Sequence, residues 1–430
     1  MESVPHDVGP RLRTMRIEKG HSLSAFARRV FYTKGYLSRV ETGLQLPSLE
    51  FIRRCEAELD APGELVPPAG TSATSATSVQ SPAAAAPGDD EVWLMTMAPI
   101  GSAFTPITRR EALLGGIAAG TALARWSTPV ADPGDCVARH RQIFDATREL
   151  GQSAPPSVVM PMLVGQAQAL RRLSASTPAR VGIEVAVLAA RTAEFAGWMA
   201  QEDGDDAAAL WWTDRAVEVA TAVGDDYVAS YALVRRALIT LYRGDAPATI
   251  ALASQARSRP GTPARIRGLA AQREAQGHAL AGDYDACMRA LDEAGRLLRD
   301  WQADAPTGPV IGTAHVTDPV AVVSGWCLYD LGRPREAAAV LDTEVPRIPS
   351  SAVRARTRFG ARHALAHAAS GEVEHACLLT RQIINNLAFV QSATILTDLR
   401  KLAKALRRWP KNPHVRALDP ALTAALSPAA

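Results

Sequence analysis

The chain has 430 residues, enough for two or three domains, with 47% apolar and 21% charged residues, the balance of a globular protein. Its five cysteines (Cys55, Cys136, Cys287, Cys327, Cys377) are scattered, odd in number and never spaced as Cys-x-x-Cys. That excludes a disulfide framework and a thiolate zinc site, and suits a reducing cytoplasm. The net charge of +3 says little, but between Gly9 and Gly43 eight Lys/Arg stand against two acids, a local surplus of the kind that meets phosphates.

Residues 1–66 read as four or five short helices, beginning near Gly9. The first runs from Leu12 to a stop at Gly20, and Ser22 is placed to cap the second. Leu12, Ile17, Leu23, Phe26, Ala27 and Val30 form the expected buried side. After a turn at Val30-Phe31-Tyr32, Thr33 caps a third helix that ends at Gly43. Its Leu37 and Val40 should point inward, leaving Lys34, Tyr36, Ser38 and Arg39 outward. Pro47-Ser48 opens a fourth helix with Leu49, Ile52, Ala57 and Leu59 as its apolar positions.

This spacing, with Tyr36-Leu-Ser-Arg-Val-Glu-Thr-Gly43 followed by Pro47-Ser48, resembles the Cro/C1-type (XRE) helix-turn-helix (HTH) family. The resemblance implies a transcription regulator whose third helix enters the major groove of double-stranded DNA. It makes Lys34 and Arg39 base readers, both able to donate to the O6/N7 edge of guanine. Gly35 takes a position often held by a polar reader, so some specificity would be lost there. Thr33, Tyr36 and Ser38 become phosphate or thymine-methyl contacts, and the amides near Ser22 and Ser24 would hold a phosphate. Arg16 and Glu41 match the family's ion pair between the first and third helices. Such modules act as dimers on two half-sites, so a homodimer is expected, joined through the C-terminal region.

Residues 67–107 read as a linker, since from Pro67 to Gly88 all but Val79 and Gln80 are Pro, Ala, Gly, Ser or Thr. A flexible linker transmits no torque, so any signal should reach the HTH through dimer geometry. Residues 108–135 read as a hydrophobic connecting helix. The stretch Thr108–Ala124 looks like a twin-arginine export signal, but it lies far into the chain. Its apolar run, Ala112–Ala124, is too short to span a bilayer, so no membrane role and a cytoplasmic location are expected.

Residues 136–415 are expected to be helical, with 416–430 as a tail. Turn glycines Gly204, Gly244, Gly282, Gly332 and Gly371 recur at intervals of 40, 38, 50 and 39 residues. Seven residues before them stand Gly197, Ala237, Ala275, Gly325 and Ala364; five after stand Ala209, Thr249, Cys287, Ala337 and Ala376. Two columns of small residues are what closely packed αα-hairpins need, and they resemble those of tetratricopeptide (TPR) repeats, although the period exceeds 34 residues. Ser392–Leu402 reads as a capping helix. The chain as a whole is therefore expected to be all-α: HTH domain, flexible linker, TPR-like superhelix. It resembles the XRE–TPR regulators of high-GC Gram-positive bacteria.

No Gly-x-Ser-x-Gly, His-Glu-x-x-His, P-loop or dinucleotide fingerprint is present, so neither an enzyme nor a cofactor is expected. His363 and His367 lie four apart, with His375 across a turn, but no carboxylate or thiolate shares that helix face and no metal site is expected. The TPR frame places Arg191, Glu194, Trp198, Tyr231, Tyr242, Gln272, Gln276, Trp326, Tyr329 and Arg358 on the concave surface. That wall suits a peptide or small-molecule effector. The bland alternative has these aromatics filling gaps between Ala-rich helices. A different function class also fits: an interaction scaffold whose repeats recruit a partner protein, with DNA binding secondary.

Overall fold

The computed structural model describes residues 8–66, 91–98, 101–108, 133–303, 311–312 and 315–427. The first four helices are α1 (Val8–Glu18), α2 (Leu23–Arg29), α3 (Lys34–Glu41) and α4 (Leu49–Leu59). Ser22, Thr33 and Ser48 cap α2, α3 and α4, each hydroxyl accepting from the backbone N–H three residues on. The core holds Leu12, Phe26, Val30, Leu37, Val40, Phe51, Ile52, Cys55 and Leu59. Two side chains depart from the expected pattern. Ile17 is exposed, because Leu12 and Arg16, four residues apart, take the inward face of α1 and Ile17 lies off it. Tyr36 does not face out: it is half-buried, stacked on Tyr32 at 5.0 Å and edge-on to Phe51 at 5.1 Å.

Within the expected linker, residues 91–98 and 101–107 are strand. Strands β1 (Glu91–Ala98) and β2 (Gly101–Thr108) pair antiparallel, in a register running from Glu91↔Thr108 to Ala98↔Gly101. The run Val92-Trp-Leu-Met-Thr-Met97 carries large apolar and β-prone residues in succession, where the stretch before it is mostly Ala, Ser, Pro and Gly. The connecting-helix expectation over 108–135 is corrected at both ends: Thr108 closes β2, and Pro133 begins the next helix. Residues 67–90 and 109–132, with nearly all of the twin-arginine-like stretch, lie outside the described residues.

The rest is helical: α5 (Pro133–Leu150), α6 (Pro156–Ser176), α7 (Ala179–Asp203), α8 (Asp206–Ala222), α9 (Asp226–Tyr242), α10 (Ala246–Ser258), α11 (Ala264–Ala281), α12 (Tyr284–Ala303), α13 (Pro319–Asp330), α14 (Pro334–Glu344), α15 (Val353–Ser370), α16 (Val373–Val390), α17 (Ala393–Leu406) and α18 (Pro413–Leu426). No helix among the described residues is long and apolar enough to cross a membrane.

The five turn glycines all have positive φ, between 77° and 92°, and end their helices in the left-handed conformation that costs glycine little. Asp205, Asp245 and Asp283 follow three of them and cap the next helix, so a Gly-Asp pair stops one helix and starts another. All ten small positions are buried. A Cβ on Gly197 would lie 3.1 Å from the Ala209 carbonyl oxygen, and one on Gly325 2.7 Å from Leu341.

Helices α7, α9, α11, α13, α15 and α17 lie side by side, and α17 returns to pack on α7. The closure is polar: Arg354 of α15 meets Glu202 of α7 at 3.2 Å, and Glu202 also accepts from Thr394 of α17 at 3.1 Å. The row therefore closes on itself as a ring. The expected tail is corrected too, since α18 extends to Leu426 and buries Leu418 and Leu422.

The HTH unit rests on the turn side of this ring. Arg54 of α4, 3% exposed, donates to the Ala369 carbonyl at 3.1 Å and to Glu50 at 2.7 Å. Arg408 reaches back to Glu50 at 3.0 Å and to the Tyr32 hydroxyl at 2.7 Å. Arg53 donates to the carbonyls of Leu280 and Asp330, and Phe31 lies under Arg335, 5.0 Å from its guanidinium carbon. This corrects the expectation of a reading head coupled to the repeats by a torque-free tether alone: α4 and the α2–α3 turn touch the repeats directly.

Candidate DNA-reading helix and ligand cavity

Docking through α4 and the α2–α3 turn leaves the start of α3 open. Thr33, Lys34, Gly35 and Arg39 are exposed, Ser38 is half-exposed, and Ser22 and Ser24 stand at the accessible start of α2. The Thr33 hydroxyl is occupied as a helix cap, accepting from Tyr36 N–H at 3.2 Å. Arg39 bonds Gln45 at 2.9 Å, and its guanidinium lies 3.7 Å from where a Cβ on Gly35 would be. The Arg39 side chain therefore lies along the face of Gly35, toward the N-terminal half of α3.

Beneath α3, Arg16 and Glu41 form a two-pronged ion pair, Nε–Oε1 2.6 Å and Nη2–Oε2 2.8 Å, with both residues buried. Arg16 also donates to the His21 carbonyl at 2.6 Å, tying α1 to the α1–α2 turn and to α3.

The ring surrounds a cavity that opens to solvent. Seven of the ten expected concave residues line it: Glu194, Trp198, Tyr231, Gln272, Gln276, Trp326 and Arg358. The other three lie elsewhere. Arg191 pairs with Asp225 at 3.3 Å and lies over the Tyr227 ring. Tyr242 stands behind the wall, its hydroxyl accepting from Arg358 at 3.0 Å. Tyr329 is half-buried on the HTH side, where desolvation and then the nearby Glu50 raise its phenol pKa.

The sequence reading missed the cationic part of the lining: Arg148, Arg235, Arg273 and Arg354. A signal was present. Nine residues before the turn glycines stand Phe195, Arg235, Arg273, Val323 and Arg362, and the first four of these line the cavity.

Arg354 is satisfied by Glu202 and by the carbonyls of Gly151, Ala154 and Val390. Arg235 faces Glu194 at 3.5 Å. Arg148, Arg273 and Arg358 have no carboxylate within ion-pair distance among the described residues. Burial, then repulsion from Arg358, lowers the Arg273 pKa to about 10, and burial lifts Tyr231 to about 12. The side-chain amide nitrogens of Gln272 and Gln276 are buried without a hydrogen-bond partner.

Cavity wall and docking face meet on one residue. The indole N–H of Trp326 donates to the Asp330 carboxylate at 2.9 Å, and the Asp330 carbonyl accepts from Arg53 at 3.1 Å.

Four helices, three of them capped by Ser22, Thr33 and Ser48, form the N-terminal unit around the buried Arg16–Glu41 brace. Residues 7–69 match the helix-turn-helix domain family. A 54-residue stretch, 12% of the chain, is 43% identical to the HTH-type transcriptional regulator SinR of Bacillus subtilis (strain 168) and equally to that of Bacillus licheniformis. The match covers 49% of each relative, so the chain spans about half the length of the curated relatives it matches.

Proposed function

We propose that this protein is a sequence-specific, cytoplasmic, non-enzymatic transcription regulator that binds DNA as a homodimer and responds to an anionic effector held in the ring cavity. The observation that carries the DNA-binding reading is the exposed, basic start of α3 on a unit matching HTH regulators. Lys34 and Arg39 would read base edges, Thr33 and Ser38 would contact the backbone or a thymine methyl, and the α2 start at Ser22–Ser24 would hold a phosphate, while Tyr36, packed on Tyr32 and Phe51, would support the helix from behind. The five free cysteines agree with a reducing compartment.

The cavity supports the effector reading. Three guanidiniums without carboxylate partners beside Trp198, Trp326 and Tyr231 favour an anionic small molecule, or a short acidic peptide, with a flat apolar body. Enclosure by the TPR-like ring argues against a long extended peptide. The effector signal would pass from Trp326 through Asp330 to Arg53, altering how α4 sits on the ring. An effector regulates only by binding the two dispositions of the HTH unequally.

Genome-wide capture of DNA fragments by the purified chain tests this. A few strong sites sharing a motif are expected. Arg39→Ala should relax specificity at particular base pairs by roughly 1–3 kcal/mol. Capture without sequence preference, unchanged by Arg39→Ala, would overturn the reading.

A further inference from the structure

The repeat ring carries a cluster that the regulator function does not use. Asp342 near the end of α14, His363 and His367 on α15, and His375 on α16 bring one ligand atom each to within 4.8 Å of one another. Spacing alone had shown two imidazoles without a carboxylate, because Asp342 comes from the neighbouring helix.

The inner distances are specific. His363 Nε2 and His367 Nε2 approach the same oxygen, Asp342 Oδ1, at 2.7 and 3.0 Å, and each other at 3.1 Å. Hydrogen bonding accounts for the two edges to oxygen. It gives nothing to the nitrogen–nitrogen edge when both nitrogens donate to one acceptor. Ligands about 2.0–2.1 Å from a tetrahedral ion lie roughly 3.3 Å apart, so the triangle has close to the size of one tetrahedral face. The His375 ring lies 4.4 Å from that of His367, with its ligand atom within 4.8 Å of the other three, close enough to complete the shell by a small side-chain adjustment. His363 and His367 are buried, while Asp342 and His375 are exposed, which leaves an access route from solvent.

The geometry points to a divalent transition-metal site, with Asp342, His363, His367 and His375 as ligands for zinc or a metal of similar preference. Three imidazoles and a carboxylate fill a tetrahedral shell, which marks a structural or regulatory ion, with no position kept for a reacting water. The ion would clasp α14, α15 and α16, two of which the HTH unit touches through Arg335 and the Ala369 carbonyl.

The full chain, stripped with a chelator, is titrated with Co²⁺. One ion per chain, with the visible absorption of tetrahedral cobalt and no thiolate charge-transfer band, is expected, and Zn²⁺ should displace it. His375→Gln, at an exposed position, should weaken binding at least tenfold with an unchanged circular dichroism spectrum. His363→Gln should abolish the tetrahedral band, while His140→Gln should leave it intact. Zn²⁺ should also raise the melting temperature of the unaltered chain but not of the His363→Gln form. No bound cobalt, an octahedral spectrum, or undiminished affinity in both His375→Gln and Asp342→Asn would overturn the assignment.

Discussion

Arg53 and Gly332 are in backbone contact: a Cβ placed on Gly332 would fall 2.6 Å from the Arg53 carbonyl oxygen. No side chain fits there, so this turn of the repeat ring is open to α4 only as glycine. Gly332→Ala should therefore dislodge the HTH unit. Gly244→Ala is the control, since it has a similar positive φ and nothing within 4 Å of a Cβ. Both should cost about 1–2 kcal/mol of left-handed strain. Only Gly332→Ala should speed hydrogen exchange along α4; equal exchange in the two variants would show that the contact does not hold the unit.

Glu50 governs the same interface electrostatically. Burial pushes its pKa up, but Arg54 and Arg408 outweigh burial and hold it below the usual value. A carboxylate with a lowered folded pKa stabilises above its unfolded pKa of about 4.3, and that contribution is lost as pH falls further, through the folded value. Docking should thus be complete at neutral pH and loosen below about pH 4. Glu50→Gln should show the loosened state at neutral pH, read as faster proteolysis between the HTH unit and α5.

Trp326 and Trp198 should part company on mutation. Trp326 is 2% exposed, with Arg362 stacked 3.7 Å from its ring centre, so Trp326→Ala should cost about 3–5 kcal/mol in thermal or urea unfolding. Trp198 is only partly buried on the cavity wall, and Trp198→Ala should cost far less while impairing the effector response. Equal destabilisation by the two would make both core residues and remove the wall's claim to a ligand.

The Arg16–Glu41 brace makes a stability prediction. Arg16→Ala strands a buried carboxylate and should cost about 3 kcal/mol or more. Replacing both partners with apolar residues should restore much of that loss. Circular dichroism melts of the single and double variants check the order; a double variant worse than the single one would contradict it.

The sequence by itself determined the local grammar. Ser22, Thr33 and Ser48 as caps, the glycine stops, the small columns at Gly197–Ala209 and Gly325–Ala337, and the Arg16–Glu41 pair were all legible, because each depends on residues near in sequence or on a short, specific motif. The TPR resemblance, counted from the turn glycines, put ten residues on the concave side; seven line the cavity, and Arg191, Tyr242 and Tyr329 do not. What only the tertiary structure decided involves partners far apart in the chain. The ring closes through Glu202 and Thr394, the HTH unit docks through Arg53 and Gly332, and Asp342 joins three histidines. Phase tells which way a side chain points, but not which distant helix supplies what it meets. The arginines of the cavity were missed for a related reason. Burying a guanidinium is costly, so sequence reasoning assigns arginine to the surface until the fold supplies acceptors such as Glu194, Glu202 and the carbonyls around Arg354.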